Sequence, residues 1–154
     1  MKLELKNIKH TAWASEETHC YQASLYVDGK PLAIVSNDGH GGCDRHYAHP
    51  KFKGDYRETM KAIDNHFASL PRTDPCEWCP DGLAQTLEFW CSDQVNYFLS
   101  SRELKSKLKS HVLFNLKDKD GIYQSKVRPS RAHASIILND LPFDEALTLW
   151  SASA

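Results

Sequence analysis

The run Asn37-Asp38-Gly39-His40-Gly41-Gly42-Cys43-Asp44-Arg45-His46 gathers three glycines, two carboxylates, two imidazoles and a thiol directly behind an apolar strand pattern. Imidazole, carboxylate and thiolate bind divalent metals and move protons. Glycine lets the backbone take positive φ and lets a ligand come close. Asn37, Asp38, Gly39, His40, Gly41, Gly42, Asp44 and His46 are therefore the candidate ligand-binding set. They would surround a metal or polar ligand, or hold an anion on successive backbone N–H groups. The plainer alternative is a loop whose glycines serve its turns, with His40 capping a backbone carbonyl.

Cys76-Glu77-Trp78-Cys79 has the spacing of half a zinc site, since two thiolates three apart in a tight turn reach one tetrahedral ion. No second Cys-x-x-Cys or closely spaced histidine pair follows it, so Cys43, Cys91, His40, His46, His49 or His66 would complete it only through the fold. Cys76, Cys79, Cys43 and His40 are the candidate set for zinc or another divalent metal. Unligated thiols are the competing reading, and a redox pair lacks its usual strand before the motif. Ser15-Glu16-Glu17-Thr18 adds two carboxylates. In an extended segment only one of them faces a given site. Glu16 or Glu17 meeting Asp38 and His40 would make a Mg²⁺, Mn²⁺ or Zn²⁺ site suited to phosphodiester hydrolysis.

The formal net charge of −1 excludes a uniformly basic nucleic-acid binder, yet Arg102 to Arg131 carries nine Lys/Arg against three acids. That region is the candidate nucleic-acid contact. Lys105, Lys107 and Lys109 alternate along a helix and fan over more than one face, which suits solvation better than a phosphate-tracking stripe. Trp13 fits no apolar stripe and is a candidate partner anchor.

The elements that must position these groups follow from periodicity. Leu3 and Leu5 alternate with charges in a first strand. Asp28-Gly29 between Tyr21–Val27 and Lys30–Ser36 predicts a hairpin, with Leu25 opposite Leu32 and Ala23 opposite Ile34. Asp55-x-x-Glu58 opens an amphipathic helix carrying Tyr56, Met60, Ile63, Phe67 and Leu70, and Pro71 stops it. Residues 71 to 82 form a loop. A second helix is expected from about Leu83 to Leu99, and Ser100-x-x-Glu103 predicts a short basic helix to about Lys109. His111–Lys117 and Ile122–Val127 flank Asp118-Lys119-Asp120-Gly121 as a second hairpin, and a last helix runs from Pro142 to Trp150. The expectation is one α+β domain over residues 1 to 154: an antiparallel sheet of two hairpins and an N-terminal strand, packed with about four helices.

Ser15-Glu16-Glu17-Thr18, Tyr26-Val27-Asp28-Gly29-Lys30, Asn37-Asp38-Gly39-His40-Gly41-Gly42 and Leu138-Asn139-Asp140-Leu141-Pro142-Phe143 together resemble a group of small uncharacterised proteins carried by phages, prophages and other mobile elements. The resemblance spans most of the chain and implies a small accessory protein acting on host machinery, in the manner of anti-defence proteins. It supplies no catalytic residue, and Cys76 and Cys79 lie outside its motifs.

No nucleophile–base pair, phosphate loop or complete metal motif is present in the sequence. The first expectation is thus a binding protein that engages a host macromolecule, chiefly a host protein, or an anionic ligand. The alternative is a metal-dependent hydrolase of nucleotides or nucleic acid. The charged N-terminus, the lack of any stretch near the ~18 apolar residues of a span, and an odd count of five cysteines lead to the expectation of a cytosolic, reduced protein without a membrane partner.

Overall fold

The computed structural model describes residues 1–117, 119–130 and 133–153. The chain divides into two compact units, Met1–Val95 and Asn96–Ala154.

The first unit holds an antiparallel four-stranded sheet in the order β1 (Leu3–His10), β2 (Tyr21–Val27), β3 (Lys30–Asn37), β4 (Arg45–Ala48). Asp28 and Gly29 take φ of 47° and 80°, the positive values a two-residue hairpin turn requires. The register beyond the turn differs from the expectation. Leu25 lies opposite Ala33 and Ala23 opposite Val35, because a bulge follows the Tyr26–Pro31 pair and leaves Leu32 as the extra residue. The irregularity falls beside a proline that has no N–H to give to the ladder. Both Leu32 and Ala33 are buried as a result.

Helix α1 (Tyr56–Ala68) starts where Asp55 accepts a hydrogen bond from the Glu58 amide at 2.9 Å. It buries Met60, Ile63 and Phe67, whereas Leu70 lies past its end and is exposed. With Tyr21, Ala23, Leu25, Leu32, Ala33 and Val35 from the sheet and Leu87, Cys91 and Val95 from the next helix, these side chains are the buried interior of the first unit. Each large one contributes about 1.5–3 kcal/mol through burial.

The second unit holds a separate three-stranded antiparallel sheet, β6 (Lys119–Ser125), β5 (Val112–Leu116), β7 (Ala134–Ile137). Two sheets therefore replace the single expected sheet. The second hairpin forms from the two expected runs, with Phe114 opposite Tyr123. Strand β6 begins at Lys119 rather than Ile122 and Lys119 pairs with Leu116, so residues 119–121 lie in the strand and not in the expected four-residue turn. Asp118 lies outside the described residues. Strand β7 is the added partner, pairing Phe114 with Ile137. Leu104, Leu113, Leu138, Ala146 and Leu147 form the core, covered by Leu108, Ile122, Leu141, Phe143 and Trp150. Helix α3 (Phe143–Ala152) supplies part of it, entered through Pro142.

Three α-helices are present among the described residues where about four were expected. The two central ones are a single helix, α2 (Leu87–Ser110). Ser100 and Glu103 sit inside it, since no glycine or proline interrupts residues 87 to 110 and the capping pattern lacks the break it needs. The working cap is Thr86, whose hydroxyl accepts from the Phe89 amide at 3.1 Å. No helix among the described residues is long and apolar enough to cross a membrane.

Replacing the two hydroxyls separates these assignments. Thr86→Ala is expected to cost about 1 kcal/mol in urea denaturation, while Ser100→Ala is expected to be neutral or to add up to about 0.5 kcal/mol. A loss near 1 kcal/mol at Ser100 would instead point to a helix start there.

Candidate functional site

Residues 38 to 44 connect β3 to β4, so the glycine-histidine run is a hairpin connection whose last two members, Arg45 and His46, belong to an exposed edge strand. Asn37 closes β3 and is only 8% exposed. Its carboxamide oxygen accepts from the Thr18 hydroxyl at 2.8 Å and from the Gly39 amide at 2.9 Å. Its nitrogen donates to the Gly42 carbonyl at 2.8 Å and to Asp44 Oδ1 at 3.0 Å. One buried side chain thus fixes both ends of the connection.

The Gly39 carbonyl makes the second anchor. It accepts from the amides of Glu16 and Glu17 at 3.0 Å each and of Thr18 at 3.3 Å. Gly39 has φ of 89°, and a Cβ there would sit 1.9 Å from the Ala14 carbonyl oxygen. Only glycine fits. Gly41, at φ of 80°, gives its amide to the Thr18 hydroxyl at 3.3 Å, and its Cα lies against the Glu17 carboxylate.

The segment 15 to 18 turns sharply here, so both acids address this loop and the one-sided reading for an extended segment does not apply. Glu16 Oε2 lies 3.2 Å from His40 Nδ1, and Glu17 lies beside Gly41. Asp38 is paired with the Arg45 guanidinium. Both contacts are solvent-exposed and individually weak.

Asp44 accepts from the buried Tyr21 hydroxyl, and its amide donates to Glu88 Oε1 at 3.2 Å. Burial and the Asp44 hydrogen bond push the Tyr21 phenol well above its ordinary range. Burial and the Asp44 charge push the Cys91 thiol up to about 12, so Cys91 stays a neutral core group. Two small clefts share Asp44 and Glu88. One of about 210 Å³ is lined by Thr18, His19, Tyr21, Asn37, Phe89, Ser92 and Val95 besides. The other, about 180 Å³, adds Val35, His46, Asp64, Thr86, Leu87 and Cys91. Both are below the ~300 Å³ at which small-molecule pockets begin.

The candidate residues thus divide. Asn37, Gly39 and Asp44 organise the loop, and Asp38, His40, Gly41, Gly42 and Cys43 present an exposed wall. His46 points to the Tyr56 hydroxyl at 3.0 Å. Cys76 and Cys79 exchange backbone hydrogen bonds of 3.0 Å across the turn that carries Trp78, which is 85% exposed. The Arg72 guanidinium, bonded to the Asp81 and Gly82 carbonyls, ties the base of that loop. Among the described residues no three His, Cys, Asp or Glu side chains are grouped to hold a metal ion. Trp13 is 88% exposed, in the 3₁₀ turn whose Ala14 carbonyl abuts Gly39.

Tyr21 and Glu88 are participants the sequence reading missed. A tyrosine opening a buried strand was the one available signal; Glu88 had none. No family model matches the chain, and neither the curated proteins nor the solved structures searched contain a match to it.

Two outcomes test this loop. Gly39→Ala is expected to cost at least about 2 kcal/mol by forcing a side chain into positive φ against a carbonyl, while Gly42→Ala, with open space around it, stays within about 0.5 kcal/mol. Between pH 9 and 12 the unfolded Cys91 thiol ionises while the folded one stays protonated, so stability falls as pH rises. Cys91→Ala should reduce that alkaline slope in denaturation curves, leaving the part that the buried Tyr21 phenol contributes at higher pH, and an unchanged slope would show the thiol to be accessible.

Proposed function

We propose that this chain is a binding protein, a small accessory factor of the kind mobile elements carry, that engages a host protein through the wall formed by Asp38 to Cys43, Glu16, Glu17 and Trp13. The observation that carries the reading is the combination of a locked backbone with exposed side chains. The Asn37 carboxamide and the Gly39 carbonyl fix the connection internally, while the outward side chains take no part in the core. A surface held in one shape loses little entropy on association.

Charge favours a basic partner over a small anion. Glu16, Glu17, Asp38, Asp44 and Glu88 cluster around the loop with Arg45 as their one guanidinium. Five amides around the loop are already spent, those of Glu16, Glu17 and Thr18 on the Gly39 carbonyl and those of Gly39 and Gly41 on Asn37 and Thr18, which leaves fewer successive N–H groups for an anion. Trp13 supplies the large exposed aromatic that anchors many protein interfaces. An anti-defence role rests on the resemblance alone, and identification of the captured protein decides it.

The test is capture from host lysate on the immobilised protein, followed by calorimetry with the recovered partner. One host protein in stoichiometric yield is expected. Trp13→Ala should weaken it by about 2 kcal/mol, and Glu16→Gln with Glu17→Gln should weaken it and reduce its salt sensitivity. Capture indifferent to both changes would remove this surface from the function, and recovery of a small anion in place of a protein would overturn the reading.

A further inference from the structure

Residues 87, 91, 95, 98, 102, 105 and 109 follow one another along α2 at steps of four, four, three, four, three and four. At about 100° per residue that is a single helical face. Its first members, Leu87, Cys91 and Val95, are buried. Its later members are Phe98, Arg102, Lys105 and Lys109, so the face changes from apolar to cationic within one helix. The core side of the later turns lies elsewhere on the helix, where Leu104 and Leu108 join the second unit's interior.

Phe98, Ser101, Arg102, Lys105, Ser106 and Lys109 line a cleft of about 460 Å³ on this stretch, and no carboxylate lines it. Glu103 falls outside the stripe, and Lys107 also points away, donating to Gln124 Oε1 at 3.0 Å. The Arg102 guanidinium lies 5.6 Å from the Phe98 ring centroid, and the Lys105 ammonium 4.9 Å from that of Phe143. Both cations are thereby braced on aromatic faces without being neutralised. Ser101 is 8% exposed, and its hydroxyl has no hydrogen-bond partner in the structure. A buried hydroxyl left unpaired in the lining of a cationic cleft carries an uncompensated desolvation cost, and an anionic oxygen that accepts from it removes that cost.

We infer that this cleft binds the sugar-phosphate backbone of a single-stranded nucleic acid. Arg102, Lys105 and Lys109 rise along the helix in steps of about 4.5 and 6 Å, so successive phosphates of one extended strand each meet a cation. The Arg102 guanidinium, held over the Phe98 ring, and the ring itself offer the surface on which an unpaired base lies. A duplex has its bases already stacked and gains nothing from that platform. The inference is independent of the protein-binding surface proposed for the first unit, and it draws on no residue of that surface.

The experiment is fluorescence anisotropy of a labelled twenty-nucleotide oligothymidylate with the full chain, over a range of salt concentrations. Three phosphate contacts give an expected log–log salt slope of about −2. The triple variant Arg102→Gln, Lys105→Gln, Lys109→Gln should bind at least tenfold more weakly and lose most of that slope. Lys107→Gln, off the stripe, should bind within twofold of the parent protein. Circular dichroism melts of all variants establish that they are folded. Three results would each overturn the inference: no binding by the parent chain, equal loss with Lys107→Gln, or equal affinity for a duplex of the same length. Binding to anionic lipid vesicles without binding to the oligonucleotide would overturn it as well, by assigning the cations to a membrane surface.

Discussion

The first unit depends on one backbone carbonyl. Gly39 places its oxygen within 3.0–3.3 Å of three consecutive amides, those of Glu16, Glu17 and Thr18, so one acceptor serves all three donors. A cluster of amides aimed at a single point is a site for an anion when it is left open. Here the chain fills its own nest. That contact requires the Ala14 carbonyl to approach where a side chain would stand, which is why the residue is glycine. It also requires Asn37 to be buried, with oxygen and nitrogen each making two hydrogen bonds. Leaving any of these buried groups unpaired costs about 1–3 kcal/mol, so the loop, the 15–18 turn and the end of β3 form or fail together.

What the loop offers a ligand follows from that closure. Glycine, imidazole and carboxylate in one short run read equally well as a cradle or as a turn. In the structure the Gly39 amide and carbonyl, the Gly41 amide and the Gly42 carbonyl are used internally, and the side chains of Asp38, His40 and Cys43 stay on the outside. Chemistry needing a free carboxylate beside a free imidazole is poorly served, because Asp38 faces Arg45 and His40 faces Glu16. Recognition by shape and charge is well served. The buried Tyr21–Asp44 hydrogen bond beneath the wall adds stiffness without adding reactivity, and the neighbouring Cys91 stays protonated.

Local signals with a steric cause were legible in the sequence. Asp28-Gly29 needs positive φ and forms its turn; Asp55 caps α1; Pro142 leads into α3. Signals that depend on a choice between equivalent partners were not. The Pro31 bulge shifts the hairpin by one residue, and no rule of alternation foretells which residue is extruded. Strand β4 consists of Arg45, His46, Tyr47 and Ala48, all exposed, so it lacks the apolar alternation by which strands are recognised. Its pairing comes from the locked loop that returns it alongside β3. Of the candidate site, the residue types were visible, but their division into Asn37, Gly39 and Asp44 as organisers and Asp38, His40 and Cys43 as surface depends on contacts with residues about twenty positions away.

Helix α2 shows the same limit in another form. Ser100-x-x-Glu103 has the composition of a capping box, yet a cap works only where the chain has already left helical geometry, and nothing between Leu87 and Ser110 makes it leave. Splitting the segment at Ser100 conceals the one face that runs through it. Read as two helices, Lys105, Lys107 and Lys109 scatter around a short cylinder. Read as one, Arg102, Lys105 and Lys109 continue the line of Leu87, Cys91, Val95 and Phe98, and Lys107 alone departs from it. The change from apolar to cationic falls between Val95 and Arg102, with Phe98 between them serving as the aromatic under Arg102. A face that no longer needs to be buried is free to carry charge, and concentrating that charge on one line has a physical consequence that dispersal lacks: neighbouring like charges repel, by a few tenths of a kcal/mol per pair at helical spacing, and a bound polyanion relieves the repulsion of all of them at once.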